Sequence, residues 1–352
     1  MRKNWPAAFQ IAAVYVGTVI GAGFATGKEI VEFFSRFGFF GFISILMSGY
    51  LFIALGSKLM RIAAQINAKS YQEFNEYLFG KWPGRVINIF MLFMLLGVSA
   101  VMLAGAGAVF EEQLGLTKNL GVFLTIGLSI IVMLIGTKGL FAVNSFVVPL
   151  MICFSLILMS YSIQMPNFLD QLLFIPHAED GWKSVVAPFS YTALNLGLAQ
   201  AVLVPIASEI KDDWTIKWGG ILGGMALTLI LIASHSTLIM LPNLELYEIP
   251  MAIIMKNLAP FLYGVFVLVI YGEIFTSVIG NVFGLDRQLK QYMAIPTMVS
   301  VTAIFVVSYL ISLVNYGTLL SYLYPLFGYI CMTFFVLLWM KPFTPTEKSK
   351  RG

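Results

Sequence analysis

Charged residues are scarce in this sequence of 352 residues. Asp, Glu, Lys and Arg together make up 11% of the chain, whereas 59% of the residues are hydrophobic and the mean hydropathy is +0.89. A soluble domain normally carries about 25% charged residues, so this composition excludes an ordinary soluble protein. The cationic residues are spread over many loops and do not form a basic patch, which also excludes nucleic-acid binding.

Cysteine and histidine are even rarer. Cys153 and Cys331 both lie in apolar runs, which predicts two buried hydrophobic side chains and neither a disulfide nor a metal pair. His177 and His235 have no Cys or His partner nearby. The sequence contains no HExxH motif, no phosphate-binding GxxxxGK[ST] motif and no Ser/His/Asp arrangement, so we expect neither an enzyme nor a bound cofactor.

Long apolar runs, by contrast, follow one another along the whole chain. A bilayer core of about 30 Å needs roughly 20 apolar residues per helix. The runs predict an all-α, polytopic membrane protein with ten transmembrane helices, near 7–35, 39–62, 84–108, 119–136, 140–162, 184–209, 218–240, 259–284, 293–314 and 317–340.

The lysines and arginines predict the orientation, because positively charged loops stay on the cytoplasmic side. With the N-terminus inside, 16 of the 21 Lys and Arg residues fall in cytoplasmic loops, and the outer ones are Arg36, Lys118, Lys183 and Lys256. We therefore expect a multi-pass protein of the cell membrane with cytoplasmic N- and C-termini, including the tail 342–352.

The two halves of the sequence predict an internal repeat. A shift of 180 residues superposes the five spans of residues 6–163 on those of residues 184–341, with 164–183 as an extracellular connection. The shift also places Gly17 on Gly197 and Glu29 on Glu209. Because each half has five spans, the halves must have opposite topology, an arrangement found mainly in secondary transporters that bind substrate on discontinuous helices near the midplane.

The first span contains glycines at positions 17, 21, 23 and 27. Each lowers helix propensity by about 1 kcal/mol relative to alanine, which favours a break in the helix. Unwound backbone survives in a membrane only where it lines a cavity or binds a ligand. The alternative is a GxxxG packing face.

Charged residues follow the glycines in both leading spans, the first and the sixth. Lys28, Glu29 and Glu32 follow them in the first span, where intramembrane charges normally face a wet cavity, although Glu32 is better explained by the outer interface. Lys28, Glu29 and Glu209 are candidates for gating or coupling, and a structural ion pair is the alternative for the first two.

The sixth span predicts a second discontinuous helix around Gly197. Tyr191, Asn195 and Gln200 flank this glycine and are candidates, with Gly197, for solute binding. Amide hydrogen bonds between helices would explain Asn195 and Gln200 equally well.

The eighth span places Glu273 one turn before Thr276 and Ser277. A carboxylate and hydroxyls on one helix face are suitable ligands for a cation or a site for a proton.

These features resemble a known family. The whole chain resembles the YkvI-type bacterial membrane proteins, within the amino acid, polyamine and organocation (APC) superfamily that shares the LeuT fold. The segment Gly17-x-x-x-Gly21-x-Gly23 is similar to the unwound first helix of the sodium symporters of that fold, and Thr276-Ser277 resembles their hydroxyl pair.

The resemblance implies an ion site beside a solute site. Sodium would be bound by the backbone carbonyls of Gly17, Ile20 and Glu273 and by the hydroxyls of Thr276 and Ser277, and the solute would contact Thr18, Gly21 and Gly23. Glu273 departs from the family pattern, in which this position is small. The coupling ion is therefore left open between Na⁺ and H⁺, and a cationic substrate is a further alternative.

The leading hypothesis is an ion-coupled symporter of a small organic solute, an amino acid or an amine. The alternative is an amino-acid sensor without transport, similar to the membrane subunits of spore-germinant receptors. A passive channel would need fewer helices than this. The expected partners are the solute and membrane lipids, with the chain as a monomer or a weak homo-oligomer.

Overall fold

The computed structural model describes residues 4–135, 138–176 and 181–341, and this part of the chain contains helices and no strands. Arg2, Lys3, His177 and the predicted tail 342–352 lie outside the described residues. The first eight α-helices are α1 Trp5–Val19, α2 Ala22–Thr26, α3 Lys28–Phe33, α4 Phe39–Leu51, α5 Ser57–Ile66, α6 Tyr71–Phe79, α7 Lys81–Ala108 and α8 Lys118–Ile135. The others are α9 Lys138–Ile163, α10 Phe168–Leu173, α11 Lys183–Ile210, α12 Asp213–Leu238, α13 Pro250–Leu258, α14 Tyr263–Tyr292, α15 Thr297–Ser312 and α16 Tyr316–Met340.

Six helical segments of the described chain are long and apolar enough to cross a membrane. They are Phe39–Ile66, Lys81–Gln113, Lys183–Ile210, Asp213–Leu238, Pro260–Lys290 and Tyr316–Met340. Shorter apolar helices of 10–17 residues, Trp5–Val19, Lys118–Met133, Pro149–Ile163 and Thr297–Ser312, occupy the positions of the other predicted spans. The all-helical class and several apolar spans are thus confirmed.

The first predicted span is interrupted, as its glycines predict. Helix α1 ends at Val19, Ile20 and Gly21 have extended backbone conformations, and α2 begins at Ala22. Gly27, with φ of 83°, then separates α2 from α3 in a conformation that favours glycine. Gly17 and Gly23 lie within helices, so the break is narrower than the predicted segment.

The predicted second break is wrong, because α11 is continuous from Lys183 to Ile210. The Asn195 side chain donates to the carbonyl of Tyr191, four residues earlier, at 3.0 Å, which satisfies its amide within the helix. A Cβ at Gly197 would lie 2.7 Å from Sγ of Cys331, so this glycine allows close contact between α11 and α16. Gly197 therefore has a packing role in the helix.

Glycines on α12 hold the first helix at the centre of the protein. A Cβ at Gly219 would lie 2.6 Å from Cβ of Ile11, and one at Gly223 would lie 2.6 Å from Cδ1 of Tyr15. The Tyr15 hydroxyl donates to the carbonyl of Phe52 at 3.0 Å, where a π-helical turn joins α4 to α5. These contacts fix α1, and hence the position of its broken end.

Candidate functional site

The end of α1 leaves backbone carbonyls available beside α14. The amide of Ile20 donates to Val16 at 2.8 Å, and the next bond of the chain, from Ala25 to Gly21 at 2.9 Å, already belongs to α2. A helix leaves its last four carbonyls without intrahelical partners. In α1 the carbonyl of Val16 accepts from the Ile20 amide, so the carbonyls left over belong to residues 17–19 by position, and the extended Ile20 adds another at the break.

The break faces α14 through Gly21 and Ser277. A Cβ at Gly21 would lie 3.7 Å from Oγ of Ser277, so the two residues are in van der Waals range. The Thr276 hydroxyl instead donates to the carbonyl of Glu273 at 3.1 Å, within its own helix. The structure thus brings the break and one of the two predicted hydroxyls together.

Glu273 lies one turn before Ser277 on the same face of α14. Its side chain is 1% exposed, and its Oε1 atom has no hydrogen-bond partner among the described residues. A buried ionised carboxylate without a partner costs several kcal/mol. Either a proton or a bound cation would remove this cost.

Open space adjoins the same face of α14. A Cβ at Gly280 would meet nothing within 4 Å, and one at Gly284 would meet Cδ1 of Leu95 at 4.0 Å. On α1, Gly17 and Thr18 are partly exposed, and the Thr18 hydroxyl donates to the carbonyl of Val14 at 2.7 Å.

Glu29 is buried on the other side of α2. A Cβ at Gly23 would lie 2.5 Å from Oε2 of Glu29, so the carboxylate rests directly on this glycine. The Asn195 amide donates to Oε1 of Glu29 at 3.4 Å and links α3 to α11. Thr26 reinforces the same region, since its hydroxyl shares a 2.7 Å hydrogen bond with that of Tyr316.

Other predicted site residues on α11 differ in their surroundings. Tyr191 is buried among the rings of Phe33, Phe34 and Phe52. Gln200 is also buried, and its amide approaches Sδ of Met91 at 3.6 Å. Glu209 is exposed near the end of α11, unlike the buried Glu29 with which the repeat aligns it.

Lys28 points away from Glu29, toward the loop that joins α12 to α14. Its Nζ donates to the carbonyls of Glu245 and Tyr247 at 2.7 and 2.8 Å. Glu112 accepts from the amide of Ile249 at 2.8 Å, and Glu248 accepts from the amide of Gly317. We call these three attachments of residues 245–249 the loop clasp.

The sequence alone did not predict the loop clasp, because two of its three attachments use backbone groups of the loop. The sequence does predict an outer lid between the seventh and eighth spans in the short, proline-flanked segment 244–256, which carries the loop clasp. Glu32, in agreement with a structural role, pairs with Arg36 at 2.9 Å and accepts from Ser321 at 2.8 Å.

The remaining rare residues are isolated. Cys331 is buried and Cys153 is exposed, so the prediction of burial is wrong for Cys153; both are free thiols. Nδ1 of the buried His235 lies 3.0 Å from the Ser35 hydroxyl. Within the described residues, no group of three or more His, Cys, Asp or Glu side chains could hold a metal ion.

The fold is similar to those of solved membrane transporters. The manganese transporter of Eremococcus coleocola superposes with a TM-score of 0.61 at 14% identity, covering 98% of this chain and 82% of that one. Mhp1, a nucleobase-cation-symport-1 family transporter solved in a closed conformation with bromovinylhydantoin bound, gives a TM-score of 0.58 at 12% identity, covering 89% of this chain and 74% of that one. At these identities the likeness concerns the fold.

Sequence relatives are closer. No protein-family model matches the chain. The uncharacterized protein YyaD of Bacillus subtilis is 24% identical over 339 residues, which is 96% of this chain and 98% of YyaD. The uncharacterized membrane protein YkvI of the same organism is 50% identical over 335 residues, which is 95% of this chain and 96% of YkvI. The chain therefore belongs to the YkvI family of bacterial membrane proteins.

Proposed function

We propose that this protein is an ion-coupled secondary transporter of a small organic solute. The observation that carries the proposal is the break at Ile20 and Gly21, which faces Ser277 with the buried Glu273 one turn away. Irregular backbone at membrane depth is tolerated where it lines a cavity or binds a ligand. A break of this kind in a transporter-like fold supports binding near the midplane.

The coupling ion is Na⁺ or H⁺. The carbonyls of Gly17 and Ile20 and the Ser277 hydroxyl are hard oxygen ligands suited to Na⁺, while Thr276 would have to release its bond to Glu273 to join them. A proton on the unpartnered Glu273 is the other form of coupling.

In the proposed transport cycle, this centre opens to one side of the membrane at a time. The two moving units are the two proposed inverted repeats of five helices each. The loop clasp closes the end that we propose to be extracellular, and α14 has open space beside Gly280, toward the end that we propose to be cytoplasmic. This arrangement supports an inward-facing state. The termini are then cytoplasmic, and the chain acts as a monomer or a weak homo-oligomer in the cell membrane.

Uptake by proteoliposomes tests the proposal. We expect labelled amino acids or amines to accumulate under an imposed sodium or proton gradient and not without one. Glu273→Gln removes a buried charge and should lower gradient-driven uptake by about tenfold or more, whereas Glu111→Gln, at an exposed position, should not.

Two results would contradict these expectations. Wild-type uptake with unchanged ion dependence in Glu273→Gln would remove Glu273 from the mechanism. Saturable binding without accumulation under either gradient would favour the sensor and would exclude transport.

A further inference from the structure

Two buried carboxylates lie around the short helix α2. Oε2 of Glu29 rests on Gly23, and the face of α14 that carries Glu273 contacts Gly21 through Ser277. The residues Glu29 and Glu273 are 3% and 1% exposed. The centre of the protein therefore carries two acidic groups that water cannot solvate well.

Neither acid has a cationic partner among the side chains that the structure describes. Lys28, which adjoins Glu29 in sequence, directs its Nζ to loop carbonyls at 2.7 and 2.8 Å. Asp286 is also a buried acid, and in contrast it pairs with Lys290 at 2.8 Å. Glu29 receives a neutral amide donor, Asn195, at 3.4 Å.

Two buried side-chain oxygen atoms, one on α14 and one on α11, also lack partners in the described part of the chain. Within the described residues, Oε1 of Glu273 and the hydroxyl of Thr192 are buried without hydrogen-bond partners. Thr192 precedes Asn195 by three residues and so shares a face of α11 with it. Buried polar atoms normally have hydrogen-bond partners. The carboxylate oxygen of Glu273 needs a donor, and the hydroxyl of Thr192 can either donate or accept.

We infer that this centre binds the solute through an ammonium group, so that the substrate is an organic amine with net positive charge and not a zwitterionic amino acid. The inference rests on the proposed function and narrows it to a substrate class. An ammonium group supplies three N–H donors and one positive charge, which matches the unpaired oxygens. The carboxylate of an amino acid would add negative charge beside Glu29 and Glu273, and such like-charge contacts cost several kcal/mol.

Three matched compounds test the inference on the purified, full-length protein. Norvaline carries both charged groups, butylamine is norvaline without its carboxylate, and valerate is norvaline without its ammonium group. Isothermal titration calorimetry should give a dissociation constant for butylamine at least about tenfold below that of norvaline. Valerate should give no saturable binding.

Variants then assign the binding to the two acids. Glu29→Gln and Glu273→Gln should each weaken butylamine binding by about tenfold or more, and Glu111→Gln, at an exposed position, should leave it unchanged. Thermal unfolding of each variant checks the fold. If a glutamine variant does not fold, Glu29→Asp or Glu273→Asp, which keep the charge and move it, should still bind butylamine in preference to norvaline.

Several results would overturn the inference. One is that norvaline or valerate binds as tightly as butylamine. Another is that none of the three compounds binds. A third is that butylamine binding is unchanged in both glutamine variants. Binding of NaCl or MnCl₂ that requires Glu29 and Glu273, without butylamine binding, would assign these acids to an inorganic ion and would also overturn it.

Equilibrium binding separates this inference from the proposed function. Butylamine binding without gradient-driven uptake would retain the amine site and exclude transport. Uptake of a zwitterionic amino acid, with no preference for amines in binding, would retain transport and exclude the amine site.

Discussion

At the scale of single residues, the proposed binding depends most on Gly21 and Glu273. Gly21 has an extended conformation, with φ of −118°, that other residues can also adopt, so the value of the glycine lies in the space beside it. A Cβ there would be only 3.7 Å from Oγ of Ser277. Glu273 lies one turn away, and its Oε1 has no hydrogen-bond partner among the described residues. A ligand bound in this space would supply one.

Gly21→Leu should therefore block solute binding without unfolding the protein. The branched side chain would fill the gap between the break and α14, and we expect affinity for the bound solute to fall by about tenfold or more. Calorimetric titration with the solute measures this. Gly264→Leu is the matched control, since a Cβ at Gly264 would meet nothing within 4 Å.

Unaltered affinity in Gly21→Leu would contradict the binding role of the break. Loss of stability together with unaltered affinity would instead favour the small-residue packing face that the glycine spacing also permits.

At the scale of elements, the loop between α12 and α14 is held mainly by groups of its own backbone. Lys28 of α3 binds two loop carbonyls, and Glu112, which follows α7, binds the amide of Ile249. Hydrogen bonds to charged groups contribute about 1.5–3 kcal/mol each. The loop, which we propose as a lid, therefore remains closed while these bonds hold.

Lys28→Met should loosen this lid. The apolar side chain cannot donate to the carbonyls of Glu245 and Tyr247, so we expect amide hydrogen exchange in residues 244–258 to accelerate by about tenfold or more. Lys81→Met, at an exposed position, is the control. Unchanged exchange in the Lys28 variant would show that the remaining attachments hold the loop without Lys28.

At the scale of the whole molecule, the two spans that the predicted repeat aligns with each other differ in structure. The first span is broken at Ile20 and Gly21, whereas α11, which the repeat aligns with it, is a continuous helix. The solved transporters of similar fold cover 98% and 89% of the chain. Asn195 of the intact helix bonds Glu29, which follows the break in the first span.

Cysteine labelling in intact cells tests the proposed orientation. In a background with Cys153→Ser and Cys331→Ser, Thr117→Cys should react with a membrane-impermeant maleimide, because the lysine distribution predicts that the loop before α8 is extracellular. Lys69→Cys should react only after lysis. Both positions are exposed, and the reverse pattern would invert the orientation.

The sequence by itself determined the class of the protein and the place of its main irregularity. Apolar runs of span length and few charges require helices that satisfy their own backbone in a membrane. Three glycines within seven residues predicted the break before α2. The same reasoning singled out Glu273 and Glu29, because carboxylates are rare in apolar runs.

Only the tertiary structure decided which polar residues share a site. The sequence predicted Asn195 to bind solute beside a second break or to bond another helix, and its amide in fact donates to Tyr191 in the same helix and to Glu29 across the interface. Neighbouring positions in sequence also point in different directions: Lys28 turns to the loop and Glu29 to the core. Side-chain direction and the partners available in three dimensions decide such outcomes, and a one-dimensional pattern does not contain them.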